Sequence, residues 1–585
     1  MGERRCYFAL FSLLVISFTA GCFQHRTVSF GPPPVTPQLW YWHHSYLVTD
    51  EAYQKSCALL DKAAAAGYTG LALWDSGLNY VGNPSWPAKN ETYMREFLKY
   101  AAAKRMRIIA APSPYGFSNE ALEMNPNWAE SQRVIGAQFE VDRSGTKLNF
   151  RNSFPGLANG GFENGEADWF STGDQGLGLN STAHSGKNSA VIVDAPRNAR
   201  LRQKFPLQPW RQYHLRLFFK SSNFHGAPMI SVFDSGDLKK VRFNVSLHAN
   251  GTHDWTQLDY TFNSQDSTEG YLYFGVWGGS SGLLWFDDVS LEETALVYLT
   301  RRPGTPVRVY DPVQPGLEFI EGKDFNAITD ARMQISKPFT DDYHQPTPIT
   351  LPQGTRLKPG QKLSIDFYAV ITVPGLHSVS LCLTDPASTQ WVAKNGQAIH
   401  QLLPPDSGLF LGYDEIRQAN SCGSCRSRQL SAGQLLAWNV RQTISAYNSV
   451  APNHPLYIWN DMFDPYHNAH ANYFYVEGDL AGSWSGIPAS VTVMNWNLDH
   501  LHDSLVWFSG TDAKQPTPHA QIIAGYYDTG NGTAAAQQEL QAATGAPGIL
   551  GFMYTTWNDD YSQLASFAAA AKSGWYSYRS SLSNE

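Results

Sequence analysis

The sequence predicts an α/β protein: a (β/α)8 TIM barrel, interrupted after its third strand by an all-β jelly-roll sandwich and a smaller β-rich segment. Three observations carry that expectation. Short apolar runs alternate with amphipathic stretches from Pro37 to Pro112 and again from Asp385 onward, the rhythm of repeated strand and helix units. The runs number three in the first part and five in the second, which makes eight. Between the two parts the helical period vanishes, and turn-rich alternating segments replace it.

The chain opens on an export signal. Arg4 and Arg5 precede an apolar run from Tyr7 to Phe18, too short to span a bilayer comfortably, and small residues follow. Ala20-Gly21-Cys22 resembles the lipobox of bacterial lipoproteins, which implies lipidation of Cys22 and anchoring at the bacterial cell envelope, in the periplasm or at the cell surface. Plain secretion is the alternative. Residues 1–22 are then the lipoprotein signal and 23–37 a polar, proline-bearing linker.

Residues 38–155 make the first part of the barrel. Leu39-Trp40-Tyr41-Trp42 is its first strand, and a helix capped by Thr49 or Asp50 carries the stripe Tyr53, Cys57, Leu60, Ala64 up to a stop at Gly67. Gly70 to Trp74 and Arg107 to Ala111 are the second and third strands, with a helix over Tyr93 to Ala103 between them. Residues 156–296 read as the inserted sandwich, with alternations such as Tyr213 to Leu217 and Tyr271 to Phe274. Residues 297–380 are a further extended, Pro-rich excursion; its strand at Lys362 to Tyr368 also suits the barrel. Residues 381–585 supply the remaining strands at Leu409–Tyr413, Tyr457–Asn460, Val491–Asn495, Gln521–Tyr526 and Ile549–Thr555. Asp385 with Pro386 starts one helix, and the capping box Ser431/Gln434 starts another whose stripe is Leu436, Val440, Ile444, Tyr447.

Composition narrows the function classes. With 43 Lys+Arg against 51 Asp+Glu, a net charge of −8 and only 16% charged residues, the surface is ill suited to phosphate backbones, so no nucleic acid partner is expected. Aromatic residues reach 13%, including 18 Trp, a surplus that suits stacking on sugar rings, although core packing accounts for many of them. No cofactor or metal is expected. Cys422-Gly-Ser-Cys425 fits a local disulfide or free thiols; zinc needs two more ligands, and no second closely spaced pair supplies them. His467-Asn-Ala-His470 lacks the glutamate of helical zinc motifs, which leaves it and His43-His44 as solvated or satisfied histidines.

Candidate chemistry sits where a barrel keeps it, at the carboxyl ends of strands. Asp414 and Glu415 follow the fourth strand directly, a pair of carboxylates that packing does not explain. Other ends offer Trp42, Trp74 and Asp75, then Trp459 and Asp461, Asn495 and Trp496, Tyr526 and Asp528, and Trp557 with Asp559. Aromatic walls with interleaved amides and carboxylates suit a polyhydroxylated ring, so a carbohydrate is the expected substrate.

Two resemblances sharpen this. Asn159-Gly160-Gly161-Phe162-Glu163 with Trp169, His184-Ser185-Gly186, Trp255, and Trp285 to Leu291 resemble jelly-roll carbohydrate-binding modules of bacterial polysaccharide-degrading enzymes. That resemblance implies stacking platforms, for which Trp210, Tyr273 and Trp277 are the candidates. Leu411 to Arg417 resembles the Asp-Glu segment of family 20 glycoside hydrolases, the β-N-acetylhexosaminidases, although Tyr413 stands where that family has glycine and Leu411 where histidine is common. It implies an exported glycoside hydrolase with Glu415 as general acid and Asp414 orienting the substrate's acetamido group. Two alternatives stay open. One is a retaining glycosidase with Glu415 as acid/base and Asp528 as nucleophile about 5 Å away; the other is a non-catalytic surface glycan-binding lipoprotein. Arg417 is expected to pair with Asp414 or a neighbour.

Overall fold

The computed structural model describes residues 30–582 apart from 113, 114, 172, 376, 453, 513, 516 and 529, so the expected signal and Cys22 lie outside the described residues. Eight parallel strands close into a barrel. They are β1 Gln38–Ser45, β2 Gly70–Asp75, β3 Arg107–Ala110, β4 Gly408–Phe410, β5 Leu456–Trp459, β6 Thr492–Asn495, β7 Gln521–Tyr526 and β8 Ile549–Thr555. Each pairs with its neighbour in sequence, and β8 pairs with β1 to complete the ring.

The longer helices are α1 Asp50–Ala66, α2 Ala88–Ala103, α3 Pro386–Leu402, α4 Ala432–Val450, α5 Leu501–Phe508, α6 Gly532–Ala543 and α7 Leu564–Ser581. Their ends follow local chemistry. The Thr49 hydroxyl accepts from the Ala52 N–H, Gly67 ends α1 at φ 84°, Asp385 accepts from the Ser388 N–H, and the Ser431/Gln434 capping box forms in full. The buried face of α1 differs from the expected stripe: Ser56, Leu60 and Ala63 are buried, while Tyr53, Cys57 and Ala64 flank them half-buried. Between β5 and β6 the chain makes short 3-10 turns at Asp461–Phe463 and Ser483–Gly486 and the two-residue strand Tyr475–Val476 instead of a long helix.

Side chains on a strand alternate faces, so a closed ring sends every second one inward. Trp40, Trp42, Ala72, Ile109, Phe410, Tyr457, Trp459, Met494, Ile522, Ala524 and Met553 form one apolar cluster drawn from all eight strands, with Trp74 and Trp496 packed on it. The opposite parity, including Leu39, Tyr41, Leu73, Ile108, Ile458, Val493 and Phe552, belongs to the larger core shared with the helices.

Between β3 and β4 the chain builds three antiparallel sheets. Two five-stranded sheets enclose a core that includes Phe162, Trp169, Leu217, Phe243, Phe274 and Phe286. The motifs that open and close this sandwich clasp each other: a Cβ on Gly160 would fall 1.9 Å from the Val289 carbonyl, and Asp287 accepts from the His184 N–H at 2.7 Å. Asn159 accepts from the Trp169 indole N–H at 2.9 Å.

The third sheet corrects the expected boundaries. Gln132–Val141 and Lys147–Phe150, which the boundary 38–155 places in the barrel part, join a six-stranded sheet with Arg308–Tyr310, Glu318–Phe319, Ile349–Thr350 and Lys362–Ala369. The Lys362 strand therefore belongs to this sheet, where it pairs with Gln132–Val141, and not to the barrel. Alternation reports that a segment is a strand and is silent about which distant strand it pairs with.

On α6 the carboxyl of Glu539 is enclosed, and it accepts from the Tyr527 hydroxyl at 2.6 Å. Burial pushes it up to about 8 against the pull of that hydrogen bond. The folded state then holds a proton that the unfolded chain has released above its ordinary carboxyl range, so stability falls as pH rises from about 4.5 to 8. Urea unfolding of Glu539→Gln should depend less on pH across that window than wild type, by up to a few kcal/mol at about 1.4 kcal/mol per pKa unit. Identical pH dependence in the two proteins would contradict this account.

Candidate functional site

A cavity of about 660 Å³ lies at the carboxyl ends of the barrel strands. Its aromatic wall follows from strand parity. Trp42 meets Trp459 at 5.3 Å between ring centroids, Trp74 at 5.9 Å and Trp557 at 5.9 Å, while Phe410 closes the floor beside Trp42 and Trp459. Trp557 is 51% exposed and forms the outer lip with Tyr526. Opposite stand Trp496 and His467, in edge contact at 4.3 Å.

The acidic side of the cavity is built by the turn after β4. Gly412 and Tyr413 both have φ 72° and Glu415 has φ 44°, a left-handed run that two side-chain-bearing residues enter only when their surroundings hold them. Tyr413 is the anchor. Its buried ring stacks on Tyr115 at 4.7 Å, and its hydroxyl lies 2.5 Å from Asn439 Oδ1 and 2.9 Å from Thr443 Oγ1 on α4. With Tyr413 drawn into the helix layer, Asp414 and Glu415 line the cavity. Behind them Gly116, at φ 83°, leaves no room for a side chain: a Cβ there would fall 2.1 Å from the Asp414 carbonyl oxygen.

Three carboxyl groups share this corner. Asp461, fully buried just beyond β5, accepts from the Glu415 N–H and from the Asn468 amide, each at 2.8 Å. Glu415 pairs with the Arg417 guanidinium at 2.9 Å, and Arg417 lies between the rings of Phe117 and Phe474. Burial, then the charges of Asp461 and Glu415, drive the Asp414 carboxyl well above the ordinary range. Burial, with the Glu415 charge added, raises Asp461 to about 7. Crowding and burial thus favour the protonated forms of Asp414 and Asp461 over the charged ones. A parallel pairing of Gln418–Ala419 with Tyr475–Val476 ties the two loops that carry it.

The structure sorts the expected site residues. Trp42, Trp74, Asp414, Glu415, Trp459, Trp496, Tyr526 and Trp557 line the cavity, and Asp461 stands directly behind Glu415. Asp75 and Asn495 have the outward parity and do not. Asp75 accepts from the Ser45 hydroxyl and from the Leu47 and Gly77 N–H groups; Asn495 donates to Ser504. Asp528 accepts from the Thr556 hydroxyl and the Trp557 and Asn558 N–H groups, a cap on the loop after β8. Asp559 is exposed at φ 56° and is not among the cavity-lining residues.

The platform candidates of the sandwich each carry a guanidinium near the ring: Arg133 at 3.3 Å from Trp210, Arg202 at 5.8 Å from Tyr273 and Arg200 at 5.6 Å from Trp277. Tyr273 is also buried, so its face is not offered to a ligand. Sequence reasoning missed Phe117, Phe410 and His500 as cavity-lining residues. The inward parity of Phe410, two residues ahead of Gly412, was the available signal.

No family model matches the sequence, and no curated protein is similar to it. Among solved structures, "Family 16 Carbohydrate Binding Module-2" is similar at 20% identity and a TM-score of 0.21, over 23% of this chain and 97% of that one. "CBM4 structure and function" is similar at 18% identity and 0.20, over 24% and 99%. A module titled TmCBM61 in complex with beta-1,4-galactotriose is similar at 20% identity and 0.20, over 25% and 99%. Scores this low leave function to be argued from the residues.

Gly116→Ala tests the built corner. It forces a side chain onto the Asp414 carbonyl in a left-handed backbone, and should destabilise the protein by about 1–3 kcal/mol in chemical unfolding. The same variant should quench or shift the tryptophan fluorescence of the cavity wall. Wild-type stability in the variant would mean that the β4 turn is not held as described.

Proposed function

We propose that the protein is an exported glycoside hydrolase and that the tryptophan-lined mouth of its (β/α)8 barrel is the active site. The observation that carries this reading is that Asp414, whose carboxyl burial drives well above the ordinary range, stands beside Glu415, ion-paired to Arg417, on one side of an aromatic cavity. A sugar ring stacks its apolar face on Trp42, Trp74 or Trp557 and turns its glycosidic oxygen toward the carboxyl groups. Asp414 then donates its proton to the departing oxygen, Glu415, ion-paired to Arg417, faces the positive charge developing at the anomeric carbon, and a water adds to that carbon and returns a proton to Asp414. The resemblance put the donated proton on Glu415. The ion pair to Arg417 and the raised Asp414 carboxyl support the opposite division of roles.

The three hydrogen bonds received by Asp528, together with a carboxyl held below its ordinary value, support its loop-capping role over that of a nucleophile. Action on N-acetylhexosaminides and anchoring through a lipidated Cys22 belong to the same proposal. The order of residues from Arg4 to Cys22 supports the anchor.

A panel of chromogenic glycosides, N-acetylhexosaminides and plain hexosides together, tests the reading. Asp414→Asn should lower kcat/KM by roughly 10²–10⁴ while glycan binding stays within a few-fold. Wild-type activity should fall as pH rises through the titration of Asp414, because the donated proton is then lost. Binding of oligosaccharides by wild type with no turnover of any glycoside would instead support a surface glycan-binding lipoprotein.

A further inference from the structure

Outside the set of cavity-lining residues, three cysteines and a glutamate converge. Glu130, Cys382, Cys422 and Cys425 are all fully buried, and their ligand atoms lie within 4.8 Å of one another. They come from separate parts of the chain. Glu130 precedes the six-stranded sheet, Cys382 precedes α3, Cys422 is the N-cap of the short helix Gly423–Arg426, and Cys425 lies within that helix. The spacing in sequence supplied only the last two; the fold supplies the other pair of ligands that zinc requires. No disulfide joins the described cysteines.

We propose that these four side chains form a structural zinc site, three thiolates and one carboxylate about a single Zn²⁺. The distances fit a tetrahedron. With Zn–S near 2.3 Å and Zn–O near 2.0 Å, ligand atoms stand about 3.8 Å apart for sulfur pairs and about 3.5 Å for sulfur and oxygen. Cys382 Sγ lies 3.6 Å from both Cys422 Sγ and Cys425 Sγ, and Cys425 Sγ lies 3.4 Å from Glu130 Oε2.

The surroundings prepare the carboxylate and its charge. Glu130 Oε1 accepts from the N–H groups of Ser421 and Cys422 and from the Ser421 hydroxyl, at 2.9, 2.7 and 2.9 Å, which aims Oε2 at the thiols. That is the outer-shell support a ligating carboxylate needs. Three thiolates and a carboxylate around a dication leave two excess negative charges. The neighbouring guanidinium of Arg302, fixed by Ser424 Oγ at 3.0 Å and the Ala129 carbonyl at 3.2 Å, offsets one of them. With four protein ligands and no exposed face, the site holds structure and does no chemistry.

The test needs no glycoside, so its result is separate from the hydrolase reading. Full-length protein, purified without added metal, should contain one zinc per chain by elemental mass spectrometry. A metal-reactive dye should recover that zinc after denaturation and mercurial treatment. Cys422→Ser/Cys425→Ser should lose the zinc, and its unfolding temperature should drop by several degrees. Because that variant can fail to fold, wild type is also unfolded with a strong chelator present, where the unfolding temperature should fall in the same direction. Cobalt exchange should give a thiolate-to-metal charge-transfer band. Substoichiometric zinc together with a peptide in which two of the three cysteines are disulfide-linked would overturn the proposal, as would a chelator-insensitive unfolding temperature.

Discussion

In a closed ring of parallel strands, the two-residue period of each strand decides what faces the interior, and the rest of this molecule is arranged around that constraint. Trp40, Tyr457, Met494 and Met553 pack together inside the ring. Binding space begins only above them, where Trp42, Trp459 and Phe410 form a floor. Asp75 and Asn495, each adjacent to a cavity-lining tryptophan, are turned the other way and are spent on loop and helix contacts.

The turn after β4 is the place where local preference is overridden. Two residues with side chains hold left-handed backbone, and three carboxyl groups are crowded within reach of one another. Each feature alone is unfavourable by about 1–3 kcal/mol or more. Both persist because neighbouring groups hold them: Tyr413 is stacked on Tyr115 and hydrogen-bonded to α4, and Arg417, close to the rings of Phe117 and Phe474, pairs with the Glu415 carboxylate. Conflict at one small spot, surrounded by consistency, is how a fold marks a functional site.

What could be read from the sequence was what is local. Caps at Thr49, Asp385 and Ser431, the stripe on α4 and the positions of the eight strands depend on neighbours a few residues away. The β4 carboxylates were legible because a strand followed at once by Asp-Glu is rare for packing reasons. What escaped was non-local. The pairing of Gln132–Val141 with Lys362–Ala369 spans the whole sandwich, and Glu130 and Cys382 have no sequence signal that joins them to Cys422 and Cys425. Asp461 was singled out as a strand-end residue, yet its bond to the Glu415 N–H, which makes it part of the cluster, depends on two loops meeting.

The sheets between β3 and β4 also bear on the site. The chain leaves and rejoins the barrel through one clasp, in which the Ser118 N–H donates to the Val379 carbonyl at 2.9 Å and the Ser118 hydroxyl accepts from the Leu381 N–H at 3.0 Å. From there the six-stranded sheet reaches the loops on the cavity side twice. Glu130 holds the backbone of Ser421 and Cys422 after β4, and Arg133 pairs with Glu477 in the β5–β6 connection at 2.7 Å. Those two attachments flank the Gln418–Ala419 and Tyr475–Val476 pairing that joins the loops of Glu415 and Asp461. The β5–β6 connection lacks a long helix to fix it against the barrel, and the insertion supplies the fixed surface in its place. A change in how the insertion docks would therefore reach the carboxyl cluster through the backbone of both loops, without touching a single cavity-lining side chain.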